Sequence, residues 1–214
     1  MQIPEAGRRE RKKAASKIEL MNQLLYLLEE RALGEITVEQ VCAAVGISKV
    51  TFFNYFDSKE QVLEYFVHRW QFETAYVIER EGLAGREALY RIFDTVGAHA
   101  AGGRVMHAVT LFFLKTENFA PMHISDYEYY LFNPDAFSAG VRPGRVGDLF
   151  AAALSSYHLP AAAVEHAVSA LVAGFYGVPV RVKASAGDDL KQAYRHFVDA
   201  VIDGIGGKKG EGRR

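Results

Sequence analysis

Residues 36–63 read ITVEQVCAAVGISKVTFFNYFDSKEQVL, and three helix starts are written into them. Thr37 has Gln40 three positions on, and Ser58 has Gln61. At that spacing a hydroxyl and an amide side chain satisfy each other's free backbone donors. Ser48 is placed in the same way to accept from the amide of Thr51. Gly46 stands between the first two starts, where a tight turn between helices needs a residue that tolerates positive φ. A helix over 37–45 stopped by Gly46, a turn, and a short helix over 48–55 make a helix-turn-helix layout. On the short helix Phe52 and Phe56 lie four apart and are expected to pack inward. That turns Lys49, Val50, Phe53 and Asn54 outward, with Thr51 and Tyr55 at their flanks. Apolar side chains exposed beside Lys and Asn mark a surface that meets a partner. The edge of a DNA groove suits that mixture.

Outward from this stretch, apolar residues recur at steps of three and four, and alternating strand patterns of useful length are missing. The pattern predicts an all-α protein. Ile18, Met21, Leu24, Leu25 and Leu28 predict a helix over 9–31, and Ser58 opens a long helix that continues past residue 75. Later stripes run through Leu89, Ile92, Phe93 and Val96, through Met106, Val109, Phe112 and Phe113, and through Val146, Leu149, Phe150, Ala153 and Leu154. Two last helices are expected over 161–178 and 188–205, and Pro121, Pro134, Pro143, Pro160 and Pro179 fall near helix boundaries, where a residue without an amide donor belongs.

Composition narrows the function classes. The 214 residues are 50% hydrophobic and carry 25 Lys plus Arg against 26 Asp plus Glu, which suits a globular protein with a substantial core. No run of about 18 uninterrupted apolar residues is present, so no membrane span is expected, and the basic stretch 8–17 lacks the apolar run of a secretory signal. A cytoplasmic location follows as the expectation. The single cysteine, Cys42, rules out internal disulfides and cysteine-rich metal sites. His123, Asp126 and Glu128 do not repeat at a metal-ligand spacing, and neither His99 nor His107 completes one. Phosphate-binding, dinucleotide and hydrolase motifs are lacking, so neither a cofactor nor an enzyme activity is expected.

Thr37, Val41, Ala44, Gly46, Ile47, Ser48, Thr51, Tyr55, Phe56, Ser58, Lys59 and Leu63 stand in the order and spacing of a known signature. On these residues the region about 10–70 resembles the DNA-binding domain of the TetR family of bacterial transcriptional regulators. The resemblance implies phosphate contacts from Thr37, Thr51 and Lys59. Lys49 and Asn54 are candidates for base edges, because Lys donates to guanine and Asn pairs with adenine. Three departures stand out. Cys42 and Val45 replace alanines on the buried side, Val50 replaces a glycine and is suited to a thymine methyl, and Phe53 replaces a tyrosine, leaving Tyr55 as the phosphate contact. The run 8–17 then reads as a further contact to phosphate or minor groove.

The resemblance also implies a division of the chain. Residues 8–57 would form a three-helix helix-turn-helix DNA-binding domain, 58–75 a connecting helix, 76–206 a helical ligand-binding and dimerisation domain, and 207–214 a flexible basic tail. In the last two helices Val168, Leu171, Phe175, Tyr194, Phe197 and Val201 form stripes for a four-helix interface of a homodimer. Aromatic side chains are dense over 112–137; Phe93, Phe112, Phe113, Tyr127 and Tyr130 are the candidates for lining a pocket, with core packing as the alternative. The expected function is a repressor that leaves a palindromic double-stranded operator when an apolar small-molecule effector binds. Alternatives are a regulator of the same fold controlled by a protein partner or by no ligand, and a helical carrier or enzyme.

Overall fold

The computed structural model describes residues 3–97, 102–115, 122–142, 144–184 and 189–206. His99, Phe119, Pro121, Pro143 and the tail 207–214 lie outside the described residues. Every regular element among the described residues is helical, as the periodicity predicts. In chain order they are α1 (Arg8–Leu28), a 3-10 turn (Leu33–Glu35), α2 (Val38–Val45), α3 (Lys49–Phe53), α4 (Lys59–Arg80), α5 (Gly85–Gly97) and α6 (Gly102–Lys115). Then come α7 (Asp126–Phe132), α8 (Pro134–Ser138), α9 (Val146–Leu154), a second 3-10 turn (Ser155–Tyr157), α10 (Ala161–Ala184) and α11 (Leu190–Gly206).

The chain divides into two compact units, residues 1–73 with 104–142, and residues 74–103 with 143–214. The first unit gathers the helix-turn-helix and α7 around one core. Along α1, Ala14, Lys17, Leu20, Met21, Leu24 and Leu28 are buried, the steps of three and four that put one stripe inward. Val41 of α2, Phe52 of α3, Phe56 beyond it, and Val62, Leu63 and Tyr65 of α4 meet that core. An aromatic chain then runs from Phe52 to Phe56 (5.8 Å between centroids), Tyr65 (5.6 Å) and Phe132 of α7 (5.1 Å).

Lys17, grouped with the exposed basic run by sequence, is inside this unit. Its Nζ donates to Glu128 Oε1 at 2.5 Å, and the Tyr65 hydroxyl donates to the same oxygen at 2.9 Å. Ser125 supplies its amide (2.9 Å) and hydroxyl (3.0 Å) to Glu128 Oε2, which closes the capping box of α7. The ammonium also lies 4.3 Å from the Tyr65 ring centroid. Desolvation alone would raise the Glu128 pKa, but the Lys17, Ser125 and Tyr65 hydrogen bonds outweigh it and hold the carboxyl below its usual range. Arg104 adds a second tie by donating to the carbonyls of Leu28 and Glu29 at the end of α1. These ties join Arg104 and α7 to the N-terminal helices.

The second unit packs α5, α9, α10 and α11 around Phe93. This ring is fully buried against Tyr194 (4.8 Å), Phe150 (5.3 Å), Phe175 (5.8 Å) and Phe197 (6.2 Å), so it fills the core where the sequence offered it as a pocket wall. Pro179 marks no boundary, because α10 runs on through it to Ala184. Proline cannot give the amide that would bond the carbonyl of Phe175, four residues back. The buried Tyr194 hydroxyl donates to that carbonyl at 2.8 Å instead.

Leu171, Phe175 and Tyr194, expected at an interface between copies, are therefore interior residues of this unit. Phe197 is half-buried, and its ring lies so close to Gly174 that a Cβ there would come within 2.1 Å. Val168 and Val201 are half-buried. The stripe pattern marks which side of a helix is apolar, not whether its own chain or another covers it. Ala161–Lys183 is long and apolar enough to cross a membrane by composition, yet Ala167, Leu171, Phe175 and Val178 on it are buried core positions.

Candidate nucleic-acid interface

The turn between α2 and α3 is built as its sequence dictates. Thr37 Oγ1 accepts from the Gln40 amide at 3.3 Å, and Gln40 Oε1 accepts from the Thr37 amide at 3.0 Å. Gly46 adopts φ 73° and ψ 32°, the left-handed conformation that ends α2. Ser48 Oγ accepts from the Thr51 amide at 3.1 Å and lies 2.9 Å from Thr51 Oγ1. At α4 the box is shifted by one residue: Ser58 Oγ takes the Gln61 amide, but Gln61 Oε1 takes the amide of Asp57.

These caps fix which side of α3 is free. Phe52 and Phe56 are buried, whereas Val50 is 72% and Phe53 49% exposed, with Lys49 and Asn54 exposed beside them. Cys42 is buried, and burial pushes its thiol pKa up, as suits an unreactive core side chain. Val45 is half-buried.

A cleft of about 650 Å³ opens beside this face. Arg9, Lys12 and Lys13 of α1 line one side, and Ser48, Thr51, Asn54 and Tyr55 line the other. Positions 9, 12, 13 and 16 share one helical face, so a single turn of α1 presents three cations to the hydroxyl and amide groups of the α3 region. Cations, hydroxyls and an amide around a concave surface are the chemistry that holds a phosphate backbone. Within the run 8–17 the sequence did not separate these three from Lys17, whose ammonium points inward; the signal was their helical spacing.

Two predicted contacts are engaged within the chain. Lys59 Nζ donates to the carbonyls of Leu33 (2.7 Å) and Ile36 (2.6 Å), which ties the start of α4 to the 3-10 turn. Lys49 Nζ donates to Glu39 Oε1 at 2.5 Å across the turn. Glu39 was not singled out by sequence, because the ten-residue separation crosses two helices and has no periodic signature. Thr37 is exposed and Tyr55 half-buried, and the Lys13 ammonium lies 5.9 Å from the Tyr55 ring centroid.

Of the other candidate residues, Phe112 and Phe113 on α6 are half-buried neighbours, with ring centroids 5.4 Å apart. Tyr127 and Tyr130 on α7 are half-buried, 6.1 Å apart. All four belong to the first unit and Phe93 to the second. Among the described residues no group of three or more His, Cys, Asp and Glu side chains is placed to hold a metal ion.

Residues 21–66, which contain this geometry, match the family model described as bacterial regulatory proteins, tetR family. The chain carries a TetR-family domain. It is 34% identical over 91 residues to the HTH-type transcriptional regulator EthR of Mycobacterium tuberculosis (strain ATCC 25618 / H37Rv), a match covering 38% of this chain and 42% of that protein. The same figures hold for EthR of Mycobacterium bovis (strain ATCC BAA-935 / AF2122/97). The match thus spans less than half the length of these curated relatives. Over a longer span the fold is similar to Thermus thermophilus FadR, a TetR-family transcriptional repressor solved in complex with lauroyl-CoA. That likeness covers 88% of this chain and 94% of the other, with a TM-score of 0.56 and 21% identity, and what it establishes is the TetR-like helical architecture.

Proposed function

We propose that this protein is a cytoplasmic, homodimeric DNA-binding transcriptional regulator, a repressor released from a palindromic operator by a largely apolar small molecule. The observation that carries the reading is the pairing of an exposed, unusually apolar α3 face with the cleft of Arg9, Lys12 and Lys13 beside it. The cations of α1 and the hydroxyls of Thr37, Thr51 and Tyr55 hold phosphates. Val50, Phe53 and Asn54 meet base edges, with Val50 on a thymine methyl, and Lys49 stands at the edge of that surface. A single two-helix motif reads only one half-site, so two copies related by a two-fold axis are needed for a palindrome.

Effector binding is assigned to the aromatic residues of the first unit, Phe112, Phe113, Tyr127 and Tyr130. Thr110 supports this, since its Oγ1 is buried without a hydrogen-bond partner one helical turn from Phe113. A mostly apolar site with few polar anchors is the usual composition of a small-molecule pocket. Titration of a duplex selected by the protein from a random pool, against a random duplex over a range of salt, tests the reading. It expects tighter binding to the selected duplex, with affinity for both falling as salt rises. Absence of binding to either duplex would return the chain to the class of helical carriers. A library of apolar compounds in which none weakens binding to the selected duplex would remove the effector and leave control to a partner protein.

A further inference from the structure

We propose that Glu39 is a specificity-determining residue of the DNA-binding face, which cancels the charge that Lys49 would otherwise offer to the phosphates of any sequence. The inference rests on the DNA-binding reading above and deepens it. Glu39 sits in the first turn of α2 and Lys49 opens α3, so the Gly46 turn brings opposite charges to one edge of the motif. Their side chains are 58% and 51% exposed, and Nζ stands 2.5 Å from Oε1. The Lys49 hydrogen bond, first among its causes, holds the Glu39 carboxyl below its usual range.

An exposed pair of this kind is weak as a bond. Its effect on DNA lies in the charge count. A lysine free to move onto a phosphate releases a condensed counterion from any duplex, whatever its sequence. Lys49 can make that move only by leaving a bare carboxylate among phosphates, so the edge of α3 gains little from random DNA. The rest of the exposed α3 surface is neutral: Val50, Phe53 and Asn54. Lys59, next along the motif, has its ammonium on two carbonyls. Backbone attraction is thereby left to Arg9, Lys12 and Lys13 on α1, while contacts from α3 depend on which bases are present.

The test uses the full chain, a random-sequence duplex, and a duplex selected by the wild type from a random pool. Glu39→Gln frees one cation. For each bound subunit, random-duplex affinity should then rise about tenfold at about 0.1 M salt and the log–log salt slope steepen by roughly 0.9, and the ratio of selected to random affinity should fall. Glu39→Asp keeps the charge and should behave as wild type. Glu39→Gln combined with Lys49→Met should return random-duplex affinity and slope to wild-type values. Unchanged slope and affinity in Glu39→Gln would overturn the proposal alone, as would a double variant as tight as Glu39→Gln. A wild type that binds neither duplex would overturn the DNA-binding reading and this inference with it.

Discussion

A lysine's charge is visible in a sequence, but its partner is not, and the basic residues of this chain show the difference. Lys17 lies in a basic run that reads as a contact to phosphate or minor groove, yet it faces Glu128, 111 positions away. Lys59 occupies the place where the resemblance implies a phosphate contact, and its ammonium is instead 2.6 and 2.7 Å from two carbonyls. By contrast the inward and outward sides of α3 were legible, because Phe52 and Phe56 at i and i+4 fix the helix face without reference to anything distant. Lys59→Ala should therefore act on folding. Loss of two charge-assisted hydrogen bonds should cost about 1–3 kcal/mol in a denaturant titration, while the salt slope of DNA binding stays at the wild-type value. A slope lower by about one unit per bound subunit would put the ammonium back on a phosphate.

Elements were legible at Thr37, Gly46, Ser48 and Ser58, where local chemistry starts or stops them, whereas α7 and α8 were not, although Ser125 and Asn133 cap them in the same way. The end of α10 was not, because the helix passes Pro179 only with help from α11. The Tyr194 hydroxyl replaces the donor that proline lacks, an interaction 19 residues away in sequence and adjacent only in the fold. Tyr194→Phe should cost about 1–3 kcal/mol, since the Phe175 carbonyl loses a buried donor. In a Pro179→Ala background the new amide can serve that carbonyl, so the same substitution should cost measurably less. Equal costs in the two backgrounds would refute this account of the helix. The α1–α7 contact gives a second prediction. Glu128 has a depressed folded pKa, so its contribution is complete above the unfolded value of about 4.3 and is lost as pH falls through the folded value. Glu128→Gln leaves Lys17 buried without its counter-charge and should cost about 3–5 kcal/mol at neutral pH. The gap in melting temperature between wild type and variant should narrow below about pH 4; a gap constant from pH 7 to pH 3 would contradict the ion pair.

At the scale of the molecule, the helical class follows from periodicity, but the short helices α7 and α8 and the grouping of helices do not. Residues 104–142 join the N-terminal helices through Glu128 and Arg104, and neither partner can be found from spacing. The same limit applies to assembly. Leu171, Phe175 and Tyr194 form the more apolar stripe of the last two helices and fill their own unit, which leaves the other side of α10 open in the single chain. That side presents Ala162, His166, Ser169, Ala170, Ala173, Gly177 and Val180, all exposed. Small side chains permit two helices to approach closely, and a helix this apolar with that much open surface is a candidate for burial in a homodimer. The two classes of position should separate in mutants. Phe197→Arg places a charge against Gly174 within the chain, so it should unfold the second unit and not merely dissociate a dimer. Ala173→Arg changes a residue exposed in the single chain, so helix content and melting at high dilution should stay near wild type. If α10 is the dimer face, the new arginine is buried without a partner in the assembly. Sedimentation should then show monomers where the wild type is dimeric, and affinity for a palindromic duplex should fall while half-site affinity holds. A folded Ala173→Arg protein that remains dimeric would move the interface off this side of α10.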